Sequence, residues 1–314
     1  MASGARVAGG LSRGGRVGET EAVPRARVSS TIELEYDAFG SPADPTLLLV
    51  MGYTAQMVAW EDDFCKAFAD RGLHVVRFDN RDCGLSTKLD GVAVDVDAVV
   101  RAALMEEPVP PVPYTLSDMA ADAVGLLDHL DIERAHVLGA SMGGMIAQVM
   151  AVEHPTRVRT LISVMSMPGD PEVGQPTPEA MGALLSVPPS DREGFIAHSV
   201  VYQAFHSRKY RSDELSKANA ARDYDRSYYP QGAPRQLAAI YASGRRSAQL
   251  RTLRVPTLVI HGTDDTLISP SGGERTAELI PGARLMMIDD MGHDLPAPLW
   301  GTFVDAVAEF VAAH

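Results

Sequence analysis

Cysteine is almost missing from the 314-residue sequence: Cys65 and Cys83 are the only two, and neither sits in a metal-binding spacing. That excludes a disulfide-built scaffold and leaves two reduced thiols as the expectation. Positive charge is in short supply as well, with 28 Lys and Arg against 41 Asp and Glu and a formal net charge of -13. Such a chain repels nucleic acid and anionic membrane surfaces at long range, which removes both as general partners. No apolar run approaches the roughly 20 residues needed to span a bilayer. Residues 1–24 are rich in Gly and carry Arg6, Arg13 and Arg16, but they lack the uninterrupted apolar stretch of a secretory signal. A loose N-terminal tail on a cytoplasmic protein is the expectation. There is no internal repeat, and no sequence signal for the oligomeric state.

What the chain does have is a hydrophobic content of 46% and enough length for one large core, with room for an insertion. From about residue 28 short β-rich runs alternate with helical stretches, the pattern of an α/β fold with a mostly parallel sheet flanked by helices. Strands are expected at 32–36, 46–51, 74–78, 135–138, 160–164, 257–261 and 284–288. Runs such as TLLLVM and TLVIH are continuously apolar rather than alternating, as strands buried on both faces should be. Helices are expected over 116–130 with Ser117 as N-cap, from just after Ser141 to Pro155, and over 299–313. Residues 167–248 break the rhythm and are expected to form an inserted, mainly helical cap on a core of 25–166 and 249–314.

The sharpest local signal is Gly139-Ala140-Ser141-Met142-Gly143-Gly144, lying between the strand AHVL and a helical pattern. Strand, tight turn and helix together describe a nucleophile elbow, in which Ser141 projects over the carboxyl edge of the sheet beside the N-H groups of the helix start. A serine hydroxyl is a weak nucleophile at neutral pH, so it needs an imidazole base and a carboxylate to hold that base. Asp265 follows the strand TLVIHG, and His293 lies in MGHDLP after the strand RLMMI. Asp264 competes with Asp265, and Asp289, Asp290 and Asp294 are weaker competitors. Of the other histidines, His261 reads as a packing or hydrogen-bonding residue and His154 as a surface one. An oxyanion hole requires two backbone N-H donors, expected from Met142 and from Tyr53 in the turn Met51-Gly52-Tyr53-Thr54.

These segments together resemble the α/β-hydrolase superfamily over residues 28–314: VMGYTAQMVAW at the oxyanion loop, VVRFDNRDCGLS after the next strand, HVLGASMGGMIAQ at the elbow, PTLVIHGTDDTLISP at the acid and MGHDLP at the base. Within it they are similar to the serine esterases that include polyketide methylesterases, and share features with cofactor-free haloperoxidases and lipase-type hydrolases. Relatives that cleave epoxides or carbon-halogen bonds use an aspartate nucleophile, which Ser141 argues against. Many relatives carry His-Gly where this chain has Met51-Gly52, and the departure spares the backbone donor. The resemblance implies hydrolysis of a small-molecule carboxylic ester through an acyl-enzyme, with no metal and no organic cofactor, and the methionines clustered around the expected pocket point to an apolar one. Lactone hydrolysis, carbon-carbon bond hydrolysis or perhydrolysis on the same triad stays open, as do a slow ligand-binding receptor and a scaffold protein. Gly52, Met57, Trp60, Met145, Met165 and Met167 are candidates for the pocket wall, with core packing the competing reading for each methionine. Tyr224, Tyr228, Tyr229 and Tyr241 are candidates for its entrance, and Arg81 and Asp82 are expected to pair within their own loop.

Overall fold

The computed structural model describes residues 24–314, so the expected N-terminal tail lies outside the described residues except for Pro24. Eight strands make one sheet: β1 (Arg25–Arg27), β2 (Glu33–Phe39), β3 (Thr46–Val50), β4 (His74–Phe78), β5 (Ala135–Ala140), β6 (Val158–Val164), β7 (Thr257–Gly262) and β8 (Arg284–Ile288). Their spatial order is β1-β2-β4-β3-β5-β6-β7-β8. Pairing is antiparallel at β1-β2 and β2-β4 and parallel from β4 onward. All seven expected strands are present. The unforeseen β1 has only Ala26 buried, so it carries no apolar run; Arg25 and Arg27 tie it to Glu35 and Glu33 across the ladder.

The helices are α1 (Asp62–Ala69), α2 (Val96–Leu104), α3 (Leu116–His129), α4 (Met142–Glu153), α5 (Pro178–Leu184), α6 (Arg192–His198), α7 (Asp213–Ser227), α8 (Ala233–Ser243), α9 (Ser247–Leu250), α10 (Ser271–Leu279) and α11 (Trp300–Ala312). Successive strand residues face opposite sides, and the core divides accordingly. Leu48 and Val50 of β3 pack with Leu116, Met119 and Leu126 of α3 and Ile146 and Met150 of α4. Leu47 and Leu49 pack on the other side with Phe64 and Phe68 of α1 and Phe303, Val307 and Phe310 of α11. The start of α3 corrects the expected cap: Thr115, not Ser117, is the N-cap, and Asp118 completes a capping box by accepting from the Thr115 N-H. Ser117 is the second residue of α3 and donates to Glu153 instead. No helix among the described residues is long and apolar enough to cross a membrane.

Phe64 stands at the centre of the α1–α11 layer. It stacks on Trp60 at 5.7 Å and meets Phe68, Trp300 and Phe303 at 5.2, 5.5 and 5.7 Å. Phe64→Ala removes this shared ring and leaves a cavity that four rings line; the expected destabilisation in urea unfolding is about 3–5 kcal/mol. A loss under about 1 kcal/mol would mean that the layer collapses without penalty and that the packing described is not rigid. Trp60 thereby belongs to the core: it is 1% exposed and held in this aromatic stack, which corrects its reading as a pocket residue.

Between β6 and β7 the chain runs through α5 to α9, and two side chains of that segment are paired with buried carboxylates of the loop after β4. Arg226 contacts Asp79 at 2.8 Å, and Arg235 grips Asp82 through Nε and Nη2, both at 2.8 Å. The expected Arg81–Asp82 pair is therefore not formed. Asp82 has φ of 61°, so the two neighbours diverge, and Arg81 instead forms a bidentate pair with Asp122 on α3 at 2.6 and 2.7 Å.

Candidate active site

Ser141 occupies the single residue between β5 and α4, with φ of 57° and ψ of -121°, a region that L-residues rarely visit. The neighbouring glycines make this turn possible. A Cβ on Gly139 would lie 2.1 Å from the Gly143 carbonyl oxygen, and one on Gly143 would lie 2.1 Å from that of Val50. The turn is pinned by the Ser141 N-H donating to the Val164 carbonyl at 2.9 Å and by the Ser166 hydroxyl donating to the Ser141 carbonyl at 2.8 Å. After it, α4 is apolar around almost its whole circumference and is buried from Met142 to Ala151.

The loops after β7 and β8 bring the other two residues to the same edge. His293 Nε2 lies 2.9 Å from Ser141 Oγ, and His293 Nδ1 lies 2.7 Å from Asp265 Oδ2. The second carboxylate oxygen of Asp265 accepts the N-H groups of Leu267 and Ile268, both at 2.9 Å. Burial opposes ionisation of Asp265, but the imidazole of His293 and the hydrogen bonds from His261 and His293 outweigh it and hold the carboxyl at about 2. His261 is fully buried, with Nε2 2.8 Å from the Ile268 carbonyl and 3.3 Å from Asp265 Oδ2. Its place beside the Asp265 loop is thus a hydrogen-bonding one.

None of the rival carboxylates bonds the His293 ring, whose partners are Asp265 and Ser141. Asp290 pairs with Lys209 at 2.5 Å, Asp289 is exposed, and Asp264 is joined to the His293 loop through its backbone N-H and the Met291 carbonyl. Asp294 accepts from the N-H groups of Ser207 and Gly292, at 2.8 and 3.2 Å, and burial pushes its carboxyl up to about 6. Together with the His293 N-H donating to the Phe205 carbonyl at 2.7 Å, this fastens the His293 loop to residues 205–207.

At the other side of Ser141, a Cβ on Gly52 would lie 3.1 Å from the Ser141 Cβ and 3.6 Å from its Oγ, so the turn after β3 abuts the Ser141 side chain. The N-H groups of Tyr53 and Met142 have no acceptor among the described residues. Burial, and then the neighbouring Tyr202, push the Tyr53 phenol up to about 12. The candidate pocket methionines divide. Met142 and Met145 are built into the α3–α4 core layer and Met165 into the other, because α4 and the end of β6 point those side chains inward. Met57 is buried, with its N-H donating to Asp79 Oδ1 at 2.7 Å, and Met167 is half-buried beside Gly174 and Ile268. Tyr224 and Tyr228 stack at 4.7 Å and pack on Phe195 in the segment between β6 and β7, and Tyr229 donates to Asp90 at 2.8 Å. Phe205 stands edge-on to His293, with ring centres 6.1 Å apart.

Two surface depressions, of about 420 and 270 Å³, are lined by residues such as Glu179, Val201 and Arg211 in the first and Ser117, Glu153 and Arg246 in the second. Neither reaches Ser141 or His293. Among the described residues no group of three or more His, Cys, Asp or Glu is placed to hold a metal ion. Residues that the sequence did not single out include Asn80, whose amide donates to the Met51 carbonyl at 2.8 Å, and Gln236, whose Oε1 accepts the Thr54 N-H at 2.8 Å.

Known proteins share this arrangement of chain. Rhodomycin D methylesterase DauP of Streptomyces sp. (strain C5) is 29% identical over 310 residues, covering 90% of this chain and 95% of the relative. The 2-hydroxymuconate semialdehyde hydrolase of Pseudomonas sp. (strain CF600) is 32% identical over 199 residues, 60% of this chain and 66% of the relative. The enol-lactonase of Burkholderia xenovorans LB400 superposes with a TM-score of 0.70 at 24% identity, over 92% of this chain and all of that one, a likeness of fold. The model of the α/β hydrolase fold matches residues 45–296, a span that runs from β3 through the Ser141 turn to the His293 loop. With that span and this sheet order, the chain belongs to the α/β-hydrolase fold family.

Proposed function

We propose that the protein is a serine hydrolase that cleaves carboxylic esters through an acyl-enzyme. The observation that carries this reading is the unbroken chain of contacts from Ser141 Oγ to His293 at 2.9 Å and from His293 to Asp265 at 2.7 Å. Beside it lie the two N-H groups, of Tyr53 and Met142, that have no acceptor among the described residues. In the first half-reaction Ser141 Oγ attacks the ester carbonyl carbon while His293 Nε2 takes its proton, and the carbonyl oxygen gathers negative charge between those N-H donors. Collapse breaks the bond to the alkoxy oxygen, which leaves as the alcohol with the proton from His293. Water, deprotonated by His293, then attacks the acyl carbon and frees the acid and Ser141. Asp265 holds the ring with its proton on Nδ1 and stabilises the imidazolium.

Residues 167–248 act in this reading as a cap over the carboxyl edge, anchored by the Asp79–Arg226 and Asp82–Arg235 pairs. Phe205 of the cap, grouped with Leu267, Ala180 and Ala183, supplies an apolar face next to His293, which favours substrates with apolar acyl or alcohol groups. The relatives named as methylesterases support the ester class. A cytoplasmic location fits the two buried, unpaired cysteines. The test is hydrolysis of p-nitrophenyl esters of increasing acyl length, together with peptide mass mapping after a fluorophosphonate probe. Expected are turnover and a single adduct on the Ser141 peptide. Protein that is neither active nor labelled would overturn the reading and favour a ligand-binding protein on the same fold.

A further inference from the structure

The Tyr53 N-H can serve a transition state only if its turn is stiff, and that turn does not hold itself. Thr54, the next residue, has φ of 58°, in the left-handed region that a β-branched side chain disfavours. Its backbone is gripped at both ends by side chains far away in sequence. Gln236 Oε1 accepts the Thr54 N-H at 2.8 Å, and Cys83 Sγ donates to the Thr54 carbonyl at 3.2 Å. Gln236 lies on α8, between β6 and β7, and is completely buried. Its Nε2 donates to the Arg81 carbonyl at 2.9 Å. Both ends of the amide are therefore in use, and the opposite flip would set donor against donor and acceptor against acceptor. One side chain of the insertion thus joins the turn after β3 to the loop after β4, and Gly52 in that same turn touches Ser141.

We propose that Gln236 is a positioning residue of the oxyanion hole: by holding the Thr54 amide it fixes the turn that presents the Tyr53 N-H, so the insertion sets transition-state stabilisation as well as covering the site. The proposal rests on the serine-hydrolase reading above. Without the Oε1 acceptor, Thr54 is free to leave its strained conformation, and the relaxing turn re-aims the Tyr53 N-H on the adjoining Gly52–Tyr53 peptide. Ground-state binding, which does not use the oxyanion contact, is untouched.

The test uses Gln236→Met, which keeps the length of the side chain and removes both hydrogen bonds. On p-nitrophenyl butyrate, kcat is expected to fall about 10- to 100-fold, the range for a displaced catalytic donor, with KM changed by less than about twofold. Affinity for a trifluoromethyl ketone, whose adduct with Ser141 places an oxyanion in the hole, falls in parallel with kcat. Affinity for a butyramide, which binds without becoming tetrahedral, does not move. Gln236→Glu, whose buried carboxyl retains a carbonyl for Thr54 and when protonated an O-H for Arg81, recovers most of kcat. Amide hydrogen exchange at Thr54 quickens in the Met variant. If Gln236→Met leaves no folded protein, Gln236→Asn, too short to reach Thr54, must give the same split. A folded variant with wild-type kcat and ketone affinity overturns the proposal alone, as does a loss in which kcat, ketone and butyramide affinity fall together. A wild type that neither hydrolyses esters nor takes up a fluorophosphonate overturns the hydrolase reading instead, and the catalytic role of Gln236 with it.

Discussion

Ser141→Ala is expected to lower kcat on an activated ester by about 10⁵- to 10⁶-fold, to the level supplied by the oxyanion donors and binding alone, while leaving the fold intact. Both halves follow from how Ser141 is held. Its hydroxyl makes no capping bond to the helix that follows, and the turn is fixed by backbone contacts to Val164 and by the Ser166 hydroxyl. Alanine retains the Cβ and so inherits the same strained φ of 57°; nothing but the 2.9 Å contact with His293 is lost. Thermal unfolding of the variant should therefore match the wild type closely. Ser141→Gly should unfold at a higher temperature, because glycine adopts positive φ without the steric penalty that a Cβ imposes. Activity is read with p-nitrophenyl butyrate and labelling with a fluorophosphonate. An alanine variant that keeps more than about a hundredth of wild-type kcat would remove Ser141 from the chemistry.

The parts of the site that could be read in the sequence are those made by neighbours. Strand, turn and helix around Ser141 are contiguous, and the glycines at 139 and 143 are required by backbone atoms a few ångströms away. The loops of Asp265 and His293 could be found because each follows an apolar strand. The elements that escaped are settled by distant partners. Gln236 and Thr54 are 182 residues apart, and Arg235 and Asp82 are 153 apart. No local pattern announces such contacts, and in the case of Asp82 adjacency to Arg81 pointed to the wrong partner. Hydrophobicity likewise does not distinguish a pocket wall from a core, which is why Met145 and Met165 read equally well as either and why Trp60 reads as wall although it is core. α10 went unmarked because it opens Ser-Gly-Gly, poor helix formers. Packing explains the second glycine: a Cβ on Gly273 would lie 2.5 Å from Nδ1 of His261, the histidine beside Asp265.

That packing also defines what the acid does, and Asp265→Asn isolates it. In the wild type Oδ1 accepts two backbone N-H groups, from Leu267 and Ile268, and only Oδ2 faces His293. An asparagine must keep its single carbonyl oxygen on those two donors, since turning it around would aim its NH2 at both. The NH2 then faces His293 Nδ1 and can only donate, so the ring must carry its proton on Nε2 and present an N-H, not a lone pair, to Ser141 Oγ. The base is lost through the wrong tautomer with little movement of atoms, and kcat should fall about 10⁴-fold with KM changed far less. Stability gives a second, independent readout. Because the carboxyl is held at about 2 in the fold against an ordinary 3.8, its contribution is complete above about pH 4 and is lost as the pH falls through about 2. Asparagine does not titrate, so the stability gap between wild type and Asp265→Asn should narrow as the pH drops from 4 to 2. A gap independent of pH, or a variant with near wild-type kcat, would mean that the carboxylate neither holds the ring nor is held by it.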